Sequence, residues 1–181
     1  MKKMKILGIC GSPRNGNSEF ALKFLLKDIR GKNIEKKIVL LRTLKINFKE
    51  SMLAKKVIHG YLKDDVDKIF DKMKQADIIA LSCPTYFDMP PALMKIFIDR
   101  CSPFYYKPVL KGKKAILLVC GGAKVGEGYI EANMKNLIEF CKMIKLNIIA
   151  KIVFSADSKN EASKNSKLKS QLKSLAKKLS K

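Results

Sequence analysis

The sequence predicts an α/β fold, a parallel sheet with helices on both faces, and three observations point to it. Short apolar runs of strand character alternate along the chain with stretches whose apolar residues recur at helical spacing, the pattern of parallel strands joined by crossover helices. Two of those runs, Ile6 to Cys10 and Asp77 to Cys83, lead into loops rich in Gly, Pro, Ser and Thr and then into helical stretches. A length of 181 residues, 47% of them hydrophobic, suits one domain with a sizeable core.

The first strand falls at about Met4 to Cys10, and the helix after it, from about Ser18 to Ile29, sets Ala21, Leu22, Leu25 and Ile29 on one side. Lys36 to Leu41 is the second strand. Val66, Ile69, Phe70, Met73 and Ala76 recur at the helical period and mark a helix that starts at Asp64 or Asp65. Ile78 to Cys83 is the third strand, and Ala92 to Arg100 the helix beyond its loop. Lys114 to Cys120 is the fourth strand; the helix from about Tyr129 to Ile144 is expected to bury Ile130, Met134, Leu137, Ile138 and Cys141, and Ile148 to Phe154 closes the sheet. A last helix carries Leu168, Leu172, Leu175 and Leu179 as a stripe opposite a lysine-rich face, and the stripe is expected to be a core face. No repeat or linker interrupts the chain, so residues 1–181 are expected to form one domain. Five strands in this arrangement fit the doubly wound order 2-1-3-4-5, whose ligand crevice opens at the carboxyl ends of strands one and three.

The loop leaving the first strand, Gly11-Ser12-Pro13-Arg14-Asn15-Gly16-Asn17-Ser18, reads as an anion cradle. A strand feeds a small-residue loop, and the loop feeds a helix N-terminus whose free N–H groups and dipole favour a phosphate. Ser12, Asn17 and Ser18 offer neutral donors and Arg14 a charge. No Lys-Ser/Thr pair follows, as an ATP-binding P-loop would need, and the GxGxxG spacing of a dinucleotide site is absent. A single terminal phosphate, such as that of FMN, suits this loop better than a polyphosphate. A plain helix cap with a tight turn would also account for Asn17-Ser18.

The second loop, Pro84-Thr85-Tyr86-Phe87-Asp88-Met89-Pro90-Pro91, continues into Ala92-Leu93-Met94-Lys95-Ile96-Phe97-Ile98-Asp99-Arg100. Taken with the Gly-Ser-Pro-Arg loop at its separation, it resembles the flavodoxin-like NAD(P)H-dependent FMN reductases, in the branch that includes the iron-sulfur flavoproteins. The resemblance runs from about Lys5 to Phe154. It implies a flavodoxin-like three-layer sandwich with FMN as cofactor and NAD(P)H as co-substrate. It further implies that Ser12, Arg14, Asn15, Gly16, Asn17 and Ser18 surround the phosphate. Pro84, Thr85, Tyr86 and Phe87 would lie along the isoalloxazine and ribityl, largely through backbone groups, with Gly121 and Gly122 at the pyrimidine end. The first loop is one residue shorter than in many relatives, which leaves the contact of Asn15 open. Asp99 and Arg100 match an Asp-Arg pair of the family, and an interhelical or subunit ion pair accounts for them better than catalysis. Relatives commonly form dimers or tetramers, and Phe87 to Pro91 and Phe48 to Tyr61 carry the apolar residues Phe87, Met89, Phe48, Met52 and Leu53 in patterns too irregular for a core face.

One segment departs from that family branch. Between Ile46 and Asp65, where iron-sulfur flavoproteins carry four closely spaced cysteines, this chain has none, and a cubane cluster needs a thiolate on each iron. No iron-sulfur cluster is therefore expected. His59 is the single histidine, and with no Cys or His partner near it no metal site is expected.

Composition narrows the remaining classes. The five cysteines are odd in number and scattered through apolar runs, as buried free thiols would be, and with no long apolar span or signal peptide the chain is placed in the cytoplasm, away from the membrane. The net charge of +22 comes almost wholly from lysine spread over every helix. Nucleic-acid surfaces gather Arg and aromatic side chains on one face, so no nucleic-acid partner is expected. The charge should instead steer anionic ligands. The reading is an FMN-dependent NAD(P)H oxidoreductase that passes electrons to a quinone, a flavin or another small acceptor, with no catalytic side chain demanded. The alternatives are a flavodoxin-type electron carrier and a non-catalytic flavin-binding protein.

Overall fold

Pairing of parallel strands organises the molecule, a computed structural model that describes residues 3–48 and 64–180. Strand β1 (Met4–Cys10) lies between β2 (Ile34–Leu40) and β3 (Ile78–Pro84), and β4 (Lys114–Gly121) and β5 (Asn147–Ser155) extend the sheet beyond β3. The order β2-β1-β3-β4-β5, with every pair parallel, is the flavodoxin-like one expected from the sequence.

Helices α1 (Asn17–Asp28), α6 (Glu161–Lys164) and α7 (Ser166–Leu179) cover one face of the sheet. The other face carries α2 (Val66–Gln75), α3 (Ala92–Arg100), α4 (Ser102–Tyr106) and α5 (Tyr129–Met143). Alternation along the strands feeds both layers. Leu7 and Ile9 of β1, Ile79 and Leu81 of β3, and Leu117 and Val119 of β4 point to the α2–α5 side. Ile6, Ile78, Ala80, Ile116 and Leu118 point to the other. Since helices cover both faces, the central strands are apolar at nearly every position, as a parallel sheet requires. Leu168 and Leu172 of α7 are fully buried, so the leucine stripe is a core face, with Leu175 and Leu179 at its rim.

The differences from the expected elements lie at edges and in short pieces. Strand β2 starts at Ile34, before Lys36, because its ladder with β1 begins at Met4 opposite Ile34. As an edge strand it can carry Glu35, Lys36 and Lys37 toward solvent. Leu41 opens a short 3-10 turn, Leu41–Thr43, instead of ending the strand. Helix α1 begins at Asn17, one residue earlier than expected, and α4 and α6 are too short for a periodic pattern to reveal.

On the α2 side, Arg100 ties chain segments together. Its guanidinium pairs with Asp64, whose side chain is fully buried, and donates to the Asn47 carbonyl at 3.0 Å. The Asp64 carboxylate also accepts the N–H groups of Asn47 at 2.9 Å and Val66 at 3.0 Å. The expected ion pair between elements is therefore found for Arg100, whereas Asp99 pairs with Lys95 on its own helix. Met52, Leu53, His59 and Tyr61 lie outside the described residues.

Candidate functional site

The carboxyl ends of β1, β3 and β4 meet at one edge of the sheet, and each carries a loop noted in the sequence. At the first, Gly11 donates to the Ser82 carbonyl at 2.8 Å, so the strand ladder persists into the loop. A Cβ on Gly11 would stand 2.6 Å from the Met94 Cβ. Only glycine lets α3 pack this closely on the loop.

Beyond Gly11 the chain turns into α1. Gly16 precedes the helix in extended conformation, and no side chain caps it. The first intrahelical donor is Phe20, bonded to the Gly16 carbonyl at 3.0 Å. That leaves the N–H groups of Asn17, Ser18 and Glu19 without a helical acceptor, yet all three residues are buried. A buried, uncapped helix start carries free donors and the positive end of the dipole, which together favour an anion.

Three of the side chains expected to serve that anion are engaged inside the protein. The Ser12 hydroxyl donates to the Arg14 carbonyl at 2.7 Å and accepts the Arg14 N–H at 3.3 Å, closing a small turn. The Asn17 amide donates to the Ser158 carbonyl at 3.0 Å and accepts the Ala162 N–H at 3.1 Å, anchoring α1 to α6. The Ser18 hydroxyl meets the Cys120 sulfur at 3.1 Å, and buried Ser82 donates to the Ser18 carbonyl at 2.8 Å. These bonds position the helix start and leave its backbone N–H groups and the exposed Arg14 side chain as the groups open to a ligand. The Arg14 side chain folds over Gly16, its Cγ standing 3.7 Å from where a Gly16 Cβ would lie. Asn15 is exposed beside it.

The second loop leaves β3 as a tight hairpin. Tyr86 and Met89 exchange backbone hydrogen bonds of 3.0 and 3.1 Å, with Phe87 and Asp88 at φ +48° and +62°. Positive φ at both central positions marks a type I′ turn, which glycine or asparagine usually occupies. Phe87 in that conformation is strained, and its side chain is completely exposed. Tyr86 and Met89 are also exposed. Pro84 and Thr85 are half-buried at the base of the turn, where Thr85 N–H bonds to the Cys120 carbonyl at 2.7 Å.

Asn133 of α5, fully buried, holds this base. Its amide nitrogen donates to the Pro84 carbonyl and to the Thr85 hydroxyl, both at 3.0 Å. Because the Thr85 oxygen accepts that bond, its own proton is free to point outward. The side-chain oxygen of Asn133 has no hydrogen-bond partner. The sequence reading missed this residue, although a polar side chain on the buried face between Ile130 and Leu137 was its visible signal.

Gly121 and Gly122 end β4 at the same edge. A Cβ on Gly122 would lie 2.9 Å from an Asp157 carboxylate oxygen, and one on Gly121 would lie 3.0 Å from Ile130. Glu131 supports the loop that follows by accepting the N–H groups of Gly126 at 2.8 Å and Gly128 at 3.2 Å. Those bonds, Gly126 first, hold its carboxyl below the usual range.

The five cysteines are buried and free. Burial pushes the thiols of Cys10 and Cys120 up to about 11, so both are neutral near pH 7 and neither is an activated nucleophile. Among the described residues no cluster of three or more His, Cys, Asp or Glu could hold a metal. No helix among them is long and apolar enough to cross a membrane.

Residues 4–161 match the model of the NADPH-dependent FMN reductases. The chain belongs to that family. An iron-sulfur flavoprotein of Archaeoglobus fulgidus is 34% identical over 140 residues, covering 73% of this chain and 63% of that protein. The match thus spans a little under two thirds of that relative's length. An FMN-dependent NADH:quinone oxidoreductase of Pelagibacter ubique is 31% identical over 97 residues, 46% of this chain and 50% of that one. In fold, the chain is similar to the apo form of an NADH:FMN oxidoreductase, with a TM-score of 0.74 and 18% identity over 98% of this chain and 89% of that one. A monophosphate fits the α1 start of this family member, because that buried helix end has donors to offer and no cap that a ligand would have to displace.

Proposed function

We propose that the protein binds FMN at this edge and acts as an NAD(P)H-dependent oxidoreductase that delivers electrons to a quinone, a flavin or another small acceptor. The observation that carries the reading is the buried, uncapped start of α1 standing at the strand-order reversal, across from the strained Tyr86–Met89 turn. FMN, when bound, supplies the hydride acceptor and the electron donor for the second substrate. The chain supplies binding and orientation. The N–H groups of Asn17, Ser18 and Glu19 and the Arg14 guanidinium hold the phosphate, Pro84 to Phe87 bound the ring and ribityl, and Gly121 and Gly122 let backbone approach the pyrimidine end. Asn133 directs the Thr85 hydroxyl proton toward that space. No side-chain acid or base is needed.

The similarity to a relative named as a quinone oxidoreductase and to neighbours named as an NADH:FMN oxidoreductase and an FMN-dependent NADH-azoreductase supports the acceptor class. Because residues 47–61 contain no cysteine, we also propose that this member works without the iron-sulfur cluster that its relatives' names record. The exposed Phe87, Met89 and Phe48 support a homodimer or homotetramer whose contact borders the flavin.

The test is anaerobic. Purified protein reconstituted with FMN and desalted should retain about one flavin per chain, without acid-labile sulfide, and stopped-flow mixing with NADH or NADPH should bleach it. Failure to retain flavin overturns the reading. Flavin that binds but resists both nucleotides, while exchanging electrons with other redox proteins, would make the protein a carrier.

A further inference from the structure

We propose that Arg42 is a positioning residue for phosphate binding, acting by neutralising Glu19, and this rests on the FMN reading above. Glu19 is the third residue of α1, so its own N–H is one of the free donors of the cradle, while its side chain is only 1% exposed. Buried carboxylates need compensation. Here it comes from two cations: the Arg42 guanidinium, from the 3-10 turn after β2, contacts Oε2, and Lys23 Nζ lies 2.6 Å from Oε1. Arg42 is the better shielded of the two, at 23% exposure against 54% for Lys23. Solvent and salt therefore weaken its interaction less.

The arrangement bears directly on the neighbouring anion site. A glutamate in the first turn favours the helix dipole, but it competes with any other anion for that same positive end. A phosphate monoester carries a charge of about −1.5 to −2 near neutral pH. An uncompensated carboxylate within one helical turn would repel it through a medium of low effective dielectric. Burial is the main reason that the Cys10 thiol is shifted upward, yet Glu19 adds to the shift while Arg42 and Lys23 oppose it. Cys10 is the residue immediately before Gly11. Arg42 and Lys23 thus offset the charge of Glu19 in the cradle wall, and the Glu19–Arg42 pair also ties the end of β2 to α1.

FMN and riboflavin separate the electrostatic role from a structural one, because they differ only in the phosphate. Their dissociation constants, read by flavin fluorescence quenching, should be compared in the wild type, R42Q, R42K, E19Q and the E19Q/R42Q double variant. R42Q should weaken FMN about tenfold or more, with riboflavin almost unchanged. R42K should hold most of the FMN affinity, and E19Q/R42Q should recover it, since the charge that Arg42 cancels is gone. Equal losses for both flavins, or a loss that persists in the double variant, would show that Arg42 only packs the corner and would overturn the proposal. Should R42Q fail to fold, E19Q decides alone: it must bind FMN more tightly than the wild type and riboflavin equally well. A wild type that binds neither flavin would instead refute the FMN reading on which this rests.

Discussion

Arg14 and its neighbours show how much of a site the order of residues reveals. The types in the first loop announce an anion cradle, because only small residues let backbone approach a phosphate and only a helix start aims several N–H groups at one point. Which atoms remain free for a ligand is a long-range matter. Asn17 is engaged by a carbonyl 141 positions away and Ser18 by a sulfur 102 positions away, and no local pattern encodes such partners. Asn133 was missed for the same reason, since its significance depends on Pro84 and Thr85 lying beneath it. Among the loop side chains Arg14 is thus the one left for the proposed charged contact to phosphate. Arg14→Ala should remove a charge-assisted bond of about 1.5–3 kcal/mol and weaken FMN about ten- to a hundredfold. Riboflavin affinity and the unfolding midpoint should hardly move. An equal loss for both flavins would assign Arg14 to loop support.

At the level of elements, the strands and long helices were legible because burial on both faces imposes apolar runs and 3.6-residue stripes. The edge strand β2 was less so, as Glu35 to Lys37 resemble a surface segment until pairing with β1 is known. How the elements are joined was legible only in part: Arg100 was assigned to an ion pair, but its partner Asp64 emerged only from the fold. This pair should contribute to stability in a pH-dependent way. Burial is the strongest single influence on Asp64 and pushes its carboxyl up, but the Arg100 guanidinium and the N–H groups of Asn47 and Val66 outweigh it and hold the group below the usual range. A carboxyl lowered by folding adds stability that is fully present above its unfolded value, about 3.9, and is lost as pH falls through the folded value. Asp64→Asn should therefore be destabilised near pH 7, by about 3–5 kcal/mol if the partner charge is left buried without compensation. Its disadvantage should shrink below about pH 4. Urea unfolding at a series of pH values measures this. A constant gap across the acid range would mean that shape and hydrogen bonding, rather than charge, make Asp64 important.

For the molecule as a whole, two long-range forces act in opposite directions. A net charge of +22 attracts anionic cofactors and nucleotides, while two copies of the chain repel each other. Against that repulsion stand exposed apolar side chains: Tyr86, Phe87 and Met89 on the hairpin and Val125 and Tyr129 beside the β4 loop, with Phe48 in the segment after the 3-10 turn. Phe87 is the strongest argument for a contact there. A strained backbone that presents a bare aromatic ring to solvent is costly for an isolated subunit, and the cost is offset if another copy or a bound ring covers it. The proposed homo-oligomer can be recognised by its response to salt. Raising ionic strength from about 0.01 to 0.15 M shortens the screening length from about 30 to 8 Å, which should weaken FMN and NAD(P)H association. The same change should strengthen self-association, because it screens like charges and leaves apolar burial intact. Sedimentation at low micromolar concentration should accordingly show a larger oligomer fraction at the higher salt, and Phe87→Ser should lower that fraction at both. Self-association that weakens with salt would place the contact on charged surfaces elsewhere, and a monomer under both conditions would leave Phe87 to serve the flavin or the electron acceptor within its own subunit.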